Sequence, residues 1–113
     1  MIEFNLPFPP STNNLFINLR GRGRVKSPEY RKWRDQARLW LVAQGAGEFK
    51  GQAHVSIDLD DKERGDCDNR AKPVLDILVD HGILQGDSKK HVRRVSVGWE
   101  KLDGCRVTIR PAA

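Results

Sequence analysis

Asp66 and Asp68 stand one residue apart in the run Arg64-Gly65-Asp66-Cys67-Asp68-Asn69-Arg70-Ala71-Lys72. Two carboxylates this close repel each other unless a cation or a proton lies between them. The hard divalent cations magnesium and manganese take oxygen ligands, and magnesium keeps several waters beside one or two carboxylates. Such a pair, with one further acid, leaves room for a phosphate and an attacking water. Lys72 follows Asp68 by four residues and precedes Asp76 by four, so on a helix the three lie roughly in line. Lys72 therefore has two readings. One is a helix ion pair with Asp76, of roughly 0.3–0.5 kcal/mol. The other is a cation aimed at a phosphate, stabilising charge that develops in a transition state. Its place beside the acid pair favours the second. Asp87, in Gln85-Gly86-Asp87-Ser88, is the best further acid, although on the residues alone an ordinary turn aspartate is the simpler account of it.

Other chemistries find less support. Asp58, Asp60 and Asp61 precede the motif but do not make a calcium loop: counting from Asp58, the sixth position is Glu63 and the twelfth Asn69, where glycine and glutamate are needed. No Gly-rich phosphate loop occurs. His81 and His91 lack metal-ligand spacing. Ser11, Ser27 and Ser88 have turn or cap explanations, so no Ser-His-Asp set emerges.

The elements that must position the acids are readable. Ala53, Val55, Ile57 and Leu59 alternate with polar residues as a half-buried strand, which places His54 on the polar face. Val74, Leu75, Leu78 and Val79 form a helical stripe that Gly82 ends. Proline is tolerated in a first turn but not in an interior, so Pro73 puts the helix start near Asn69 or Arg70. Asp66 and Asp68 then lie in the strand-to-helix junction. In extended geometry, residues two apart point the same way, and both carboxylates face one point. Helix capping by Asp68 or Asn69 is the structural alternative, and it explains one of these residues but not both.

Elsewhere, Ile2, Phe4 and Leu6 predict a strand that Pro7, Pro9 and Pro10 stop. Ser11-Thr12-Asn13-Asn14 leads into a mixed stretch ending Arg20-Gly21-Arg22-Gly23-Arg24, read as a mobile, solvated loop and a flexible basic arm that tracks phosphates. Ser27-Pro28-Glu29 starts a helix. Tyr30, Trp33, Ala37, Trp40 and Leu41 share its apolar stripe, so both tryptophans are expected in the core. Arg31, Arg34 and Arg38 fall on another face, read as solvated. Val92, Val95, Val97 and Trp99 predict a third strand with an irregularity at Arg93-Arg94. Asp103-Gly104 predicts a two-residue hairpin turn into a fourth strand carrying Cys105, Val107 and Ile109, with Cys105 in the core. The expected fold is mixed α/β (α+β): one small domain over residues 1–113, in the order β-α-β-α-β-β, with one mainly four-stranded sheet and two helices.

With 113 residues there is core enough for one domain, and a chain this small often dimerises. Twenty basic against fifteen acidic side chains give +5, which favours a polyanionic partner. Two cysteines are too few for a disulfide framework, so a reducing cytoplasm is expected. The opening residues lack the basic and apolar regions of a secretory leader, and no apolar run approaches membrane-spanning length.

Four features together resemble one family. The opening Leu6-Pro7-Phe8-Pro9-Pro10-Ser11 runs into Asn13-Asn14, and a helix follows from Ser27 to Arg38. The core Asp66-x-Asp68-Asn69-x-x-Lys72-x-x-x-Asp76 comes next, and Asp87 lies nineteen residues beyond Asp68 after Gly82-Ile83-Leu84. In these the chain resembles, over almost its whole length, the RusA-like crossover junction endodeoxyribonucleases, small Holliday-junction resolvases of bacteria and their phages. The resemblance implies a homodimer that uses Mg²⁺, with Mn²⁺ able to substitute, to cut branched DNA at four-way junctions by paired symmetric cleavage in recombination and repair. It implies that Asp66, Asp68 and Asp87 are catalytic metal ligands and that Lys72 is the cation near the scissile phosphate. Asn69 and Asp76 support them, Asp76 by orienting Lys72. Asn13, Asn14, Arg20, Arg22, Arg24 and Arg64 are candidate DNA contacts. The place implied is the cytoplasm, on the nucleoid when bound to DNA. Two departures stand out. The run before the acid pair, Asp60-Asp61-Lys62-Glu63-Arg64, is diluted by acids where the family is often basic, and Gly86 precedes Asp87 where the family often has a second acid. The alternatives are another metal-dependent nuclease on branched DNA or RNA, and a non-catalytic basic nucleic-acid-binding module.

Overall fold

Apolar residues alternating with polar ones build three strands that share one buried face, and two amphipathic helices cover it. The computed structural model describes residues 1–112. In chain order the elements are β1 (Ile2–Leu6), β2 (Phe16–Leu19), β3 (Gly23–Lys26), α1 (Pro28–Ala43), β4 (Ala53–Asp60), α2 (Ala71–Asp80), β5 (Val92–Glu100) and β6 (Cys105–Pro111). Turns of 3-10 helix lie at Thr12–Asn14 and Cys67–Arg70. The main sheet has the order β1-β6-β4-β5, parallel between β4 and β5 and antiparallel elsewhere. Val55, Ile57, Leu59, Val107 and Ile109 are fully buried on its inner face. They form one cluster with Tyr30, Trp33, Ala37 and Leu41 of α1 and with Val74, Ile77 and Leu78 of α2. The outer face is polar. Arg106 binds the Asp58 carboxylate at 3.1 Å, and the His54 ring lies 3.2 Å from the Ser96 hydroxyl. Cys105 is buried, and desolvation pushes its thiol up to about 12, so it is a core residue.

Ser27 caps α1 as the sequence predicts: its Oγ accepts the Tyr30 N–H at 3.1 Å and donates to the Asn14 carbonyl at 2.7 Å. The irregularity at Arg93-Arg94 is also present. Ala53 faces Val92 while His54 faces Arg94, which leaves Arg93 as an extra residue in the ladder.

Four expectations are corrected. First, residues 16–26 are not a loose arm but the antiparallel hairpin of β2 and β3, with Phe16 opposite Lys26 and Asn18 opposite Arg24. Gly21 and Gly23 turn it with φ of 78° and 72°, and Phe16 sets its ring edge-on to Tyr30. Second, Asp103-Gly104 does not close a hairpin, because β6 inserts between β1 and β4 while β5 lies on the far side of β4. Asp60 at the end of β4 draws the turn across: its N–H donates to the Gly104 carbonyl at 3.0 Å. Gly104 has φ of 73°, and a Cβ there would sit 2.8 Å from the Leu6 carbonyl oxygen. Third, Trp40 is 37% exposed at the outer side of α1, whereas Trp33 is buried and donates its indole N–H to the Pro7 carbonyl at 2.9 Å. Fourth, Arg34 is not solvated but buried. It donates to the Tyr30 hydroxyl and to Asp80, which also accepts from Arg38 at 2.6 Å. Among the described residues no helix is long and apolar enough to cross a membrane.

Asp80 ties α2 to α1, and the Arg38 guanidinium, followed by Arg34, holds its carboxyl below the ordinary 3.8. The stabilisation this gives is complete above pH 3.8 and is lost as pH falls through the lower folded-state value. Asp80→Asn is expected to cost about 1 kcal/mol at neutral pH. Urea midpoints taken at pH 7 and pH 3 should show a smaller acid-dependent drop in the variant than in the wild type.

Candidate functional site

The chain leaves β4 at Asp60, whose buried carboxylate is fully used. It accepts the Lys62 N–H at 2.9 Å and the Gly104 N–H at 3.4 Å, and Lys62 Nζ lies 3.3 Å away. The Lys62 N–H, more than any other partner, holds this carboxyl below its usual range. The connection then reaches Gly65, with φ of 110°, and Asp66, still extended at φ −97° and ψ 131°. Cys67–Arg70 is a turn of 3-10 helix that runs directly into α2, within a residue of the helix start that Pro73 implies. This corrects one step of the sequence argument. Asp66 is extended but Asp68 is already helical, so period-two alternation does not set their relative direction. Cys67 makes the chain turn early: its half-buried Sγ is 3.8 Å from the Val97 carbonyl of β5.

Neither acid serves as a cap. No side-chain hydrogen bond caps the 3-10 turn or α2. Asp66 and Asp68 are exposed. Ion pairing sorts the aspartates of the described residues into two groups. Asp35, Asp58, Asp60, Asp76, Asp80 and Asp103 each have a lysine or arginine within 4 Å. Asp61, Asp66, Asp68 and Asp87 have none, and the last three are the acids that the sequence singles out.

Five contacts that the sequence did not announce hold the motif in place. Arg70 lies over the Phe8 ring at 4.9 Å, donates to the Pro9 carbonyl at 3.0 Å and donates to the Arg64 carbonyl at 3.1 Å. It thereby latches the connection before Asp66 to the proline segment. Gly65 permits this approach, since a Cβ there would come within 2.8 Å of Arg70 Nη2. The Thr12 hydroxyl donates to the Asn69 carbonyl at 2.7 Å, so the turn carrying Asn13 and Asn14 is fastened to the acid motif. Phe8 in turn stacks on Trp99 of β5, with centroids 6.4 Å apart. The only local hint was glycine beside the acids; nothing near Arg70 or Thr12 in the chain marks their partners.

Lys72 Nζ stands 3.6 Å from the Asp76 carboxylate, the i,i+4 pair its spacing allows, and Lys72 remains more than half exposed. Asp76 and Asp87 face a common open cavity of about 340 Å³ that Phe16, Lys26 and Tyr30 also line. Asp87 is exposed, in a loop closed by the His91 and Val92 N–H groups, which both donate to the Ser88 carbonyl at 2.9 Å. At Gly86, before Asp87, a Cβ would lie 2.8 Å from the His91 ring, so an acid there would have to displace that side chain. Asp76 thus pairs with Lys72 and shares the cavity with Asp87. Asp66 and Asp68 do not line that cavity. Among the described residues, no three His, Cys, Asp or Glu come close enough to hold a metal ion as a closed set.

Asn13 and Asn14 are exposed on the 3-10 turn. Arg20 and Arg22 are exposed at the hairpin tip, and Arg64 is exposed beside the latch. The Arg24 guanidinium carbon lies over the Phe16 ring, 4.4 Å from its centroid. Arg70→Ala should release the connection: amide hydrogen exchange across 61–69 is expected to speed up by about tenfold or more while the β4 and β6 amides keep their protection.

Comparison with known proteins gives this arrangement a context. A family model described as Endodeoxyribonuclease RusA matches residues 7–110. The crossover junction endodeoxyribonuclease RusA of Aquifex aeolicus (strain VF5) is 29% identical over 117 residues, covering 94% of this chain and 86% of that protein. The crossover junction endodeoxyribonuclease of Enterobacteria phage HK97 is 32% identical over 113 residues, covering 96% of this chain and 91% of its own. The match embraces the proline segment, both helices, the acid motif and Asp87, and the chain belongs to the RusA endodeoxyribonuclease family.

Proposed function

We propose that this chain is a Mg²⁺-dependent, structure-specific endodeoxyribonuclease that resolves four-way DNA junctions by paired symmetric cuts, as a homodimer, in recombination and repair within the cytoplasm. The observation that carries the reading is the unpaired state of Asp66, Asp68 and Asp87 in a family member whose other well-placed aspartates are neutralised. Exposed carboxylates without a protein cation are the donor chemistry magnesium takes, with waters and phosphate completing its shell. When bound, the metal supplies Lewis-acid polarisation of the phosphate and lowers the pKa of a water; Mn²⁺ can take its place.

The chain's own residues divide the remaining work. Asp66 and Asp68, presented on the latched strand-to-helix connection, hold the cation. Asp87 approaches from the loop after α2. Lys72, steered by Asp76, places positive charge where the phosphate gains negative charge as the water oxygen bonds to phosphorus and an ester P–O bond breaks. Asn13, Asn14, Arg20, Arg22, Arg24 and Arg64 contact the DNA, and those contacts that fall on phosphates position it without reading its sequence. A four-way junction needs two opposed cuts, and a two-fold dimer supplies two such sites at a fixed separation.

Cleavage of a synthetic mobile junction tests the reading, with fork, duplex, single-stranded and RNA substrates beside it. Symmetric nicks near the crossover are expected with Mg²⁺ and none with chelator. Asp66→Asn should lower the rate by at least about 10²-fold while junction binding survives, and Lys72→Met should lower it by about 10²–10³-fold. Equal cutting of every substrate would remove junction specificity, and full activity of Asp66→Asn would remove the site.

A further inference from the structure

The hairpin β2–β3 does more than present arginines. Its two faces differ: Phe16, Asn18, Arg24 and Lys26 share one, by the pairing of Phe16 with Lys26 and Asn18 with Arg24. Between this face and the 3-10 turn Thr12–Asn14 lies an open, mainly polar pocket of about 410 Å³, lined by Thr12, Asn13, Phe16, Asn18 and Arg24. That volume falls in the range of small-ligand sites. Phe16 also lines the cavity that Asp76 and Asp87 face, so the two spaces share that residue. Thr12, at the pocket's floor, donates to the Asn69 carbonyl within the acid motif. The pocket therefore stands at a fixed distance from the proposed cutting site.

The chemistry of the lining is specific. Arg24 makes no ion pair among the described residues. Instead its guanidinium lies on the Phe16 ring at 4.4 Å, and Phe16 is braced edge-on by Tyr30. A guanidinium is planar, and the face it turns away from the ring is a surface on which an unstacked nucleobase can stack. The side-chain amides of Asn13 and Asn18 have no protein partner among the described residues. An amide carries both donors and an acceptor, the set that reads a base edge. Phosphate recognition alone would not need two amides or a braced guanidinium plane.

We infer that this pocket takes one unpaired nucleobase from the branch point, stacked on Arg24 and read at its edge by Asn13 and Asn18, and that it gives the enzyme a base preference next to the cut. The inference rests on the proposed junction cleavage but adds a site and a class of ligand to it. An unpaired base is available at a branch, where stacking is already interrupted and extrusion costs least.

Two exposed variants carry the test. Asn18→Ala removes one reading group, and Arg24→Lys keeps the charge but not the plane. Phe16→Leu is set aside because it also removes the Tyr30 contact. Junctions carrying each of the four bases at the positions flanking the crossover are cleaved, and in parallel the affinities of the four homopolymeric single strands are measured. The wild type should prefer one base by about tenfold or more. Asn18→Ala and Arg24→Lys should each bring that ratio close to one in both assays, with Arg24→Lys leaving the salt dependence of binding as it was. Unchanged preference in both variants, or a wild type that treats all bases alike, overturns the inference. A wild type that cuts no junction yet shows a base-dependent affinity that the variants lose would overturn the cleavage reading and leave the pocket standing.

Discussion

The structure turns on keeping three carboxylates free in a chain rich in cations. Twenty lysines and arginines accompany fifteen acids, and among the described residues six of the ten aspartates have one within 4 Å, while Asp61 is free as well as the three proposed ligands. Asp58 finds Arg106, Asp60 finds Lys62, Asp76 finds Lys72, and Asp80 finds two arginines. Asp66, Asp68 and Asp87 do not. Asp66 and Asp68 stand one residue apart with no protein cation beside either, and their placement is set by the backbone around them. A divalent cation held between them, as proposed above, would offset any repulsion between the two carboxylates.

Backbone enforcement comes from contacts that reach across the chain. Arg70 spends its guanidinium on two carbonyls and an aromatic face, and so is not available to neutralise Asp66 or Asp68. Asp60 takes Lys62 out of play in the same manner. The acid-diluted run before the motif thus acquires a structural meaning. Asp60 and Lys62 are consumed in anchoring the connection, whereas Asp61, Glu63 and Arg64 stay exposed. Gly86 is equally local: the His91 ring packs against it, where a side chain would have to displace the ring.

How much of this was legible in the sequence depended on range. Strands β1, β4 and β6 were readable because burial of one face imposes a period of two, and α1 because Ser27-Pro28-Glu29 is a complete start signal. The Arg93 bulge was readable from a broken alternation. The hairpin was not: its arginines and glycines signal solvent, and its order comes from positive-φ glycines and the Phe16–Tyr30 contact. Nor could Asp103-Gly104 reveal that β6 joins β1 and β4, because turn chemistry reports a reversal and not a neighbour. Arg34 looked solvated because its partner lies 46 residues away. In the site, the Lys72–Asp76 pair followed from helical spacing alone, whereas the Arg70 latch and the Thr12–Asn69 bond close over 61 and 57 residues and left no local trace.

The central claim is that Asp66 and Asp68 are left unpaired in order to hold a divalent metal. Electron paramagnetic resonance of Mn²⁺, titrated into the protein bound to an uncleavable junction, reads this without reference to turnover. Bound Mn²⁺ is expected for the wild type, and its affinity should fall by about 10²-fold or more in Asp66→Asn/Asp68→Asn with junction affinity retained. Equal Mn²⁺ binding by the two proteins would contradict the account.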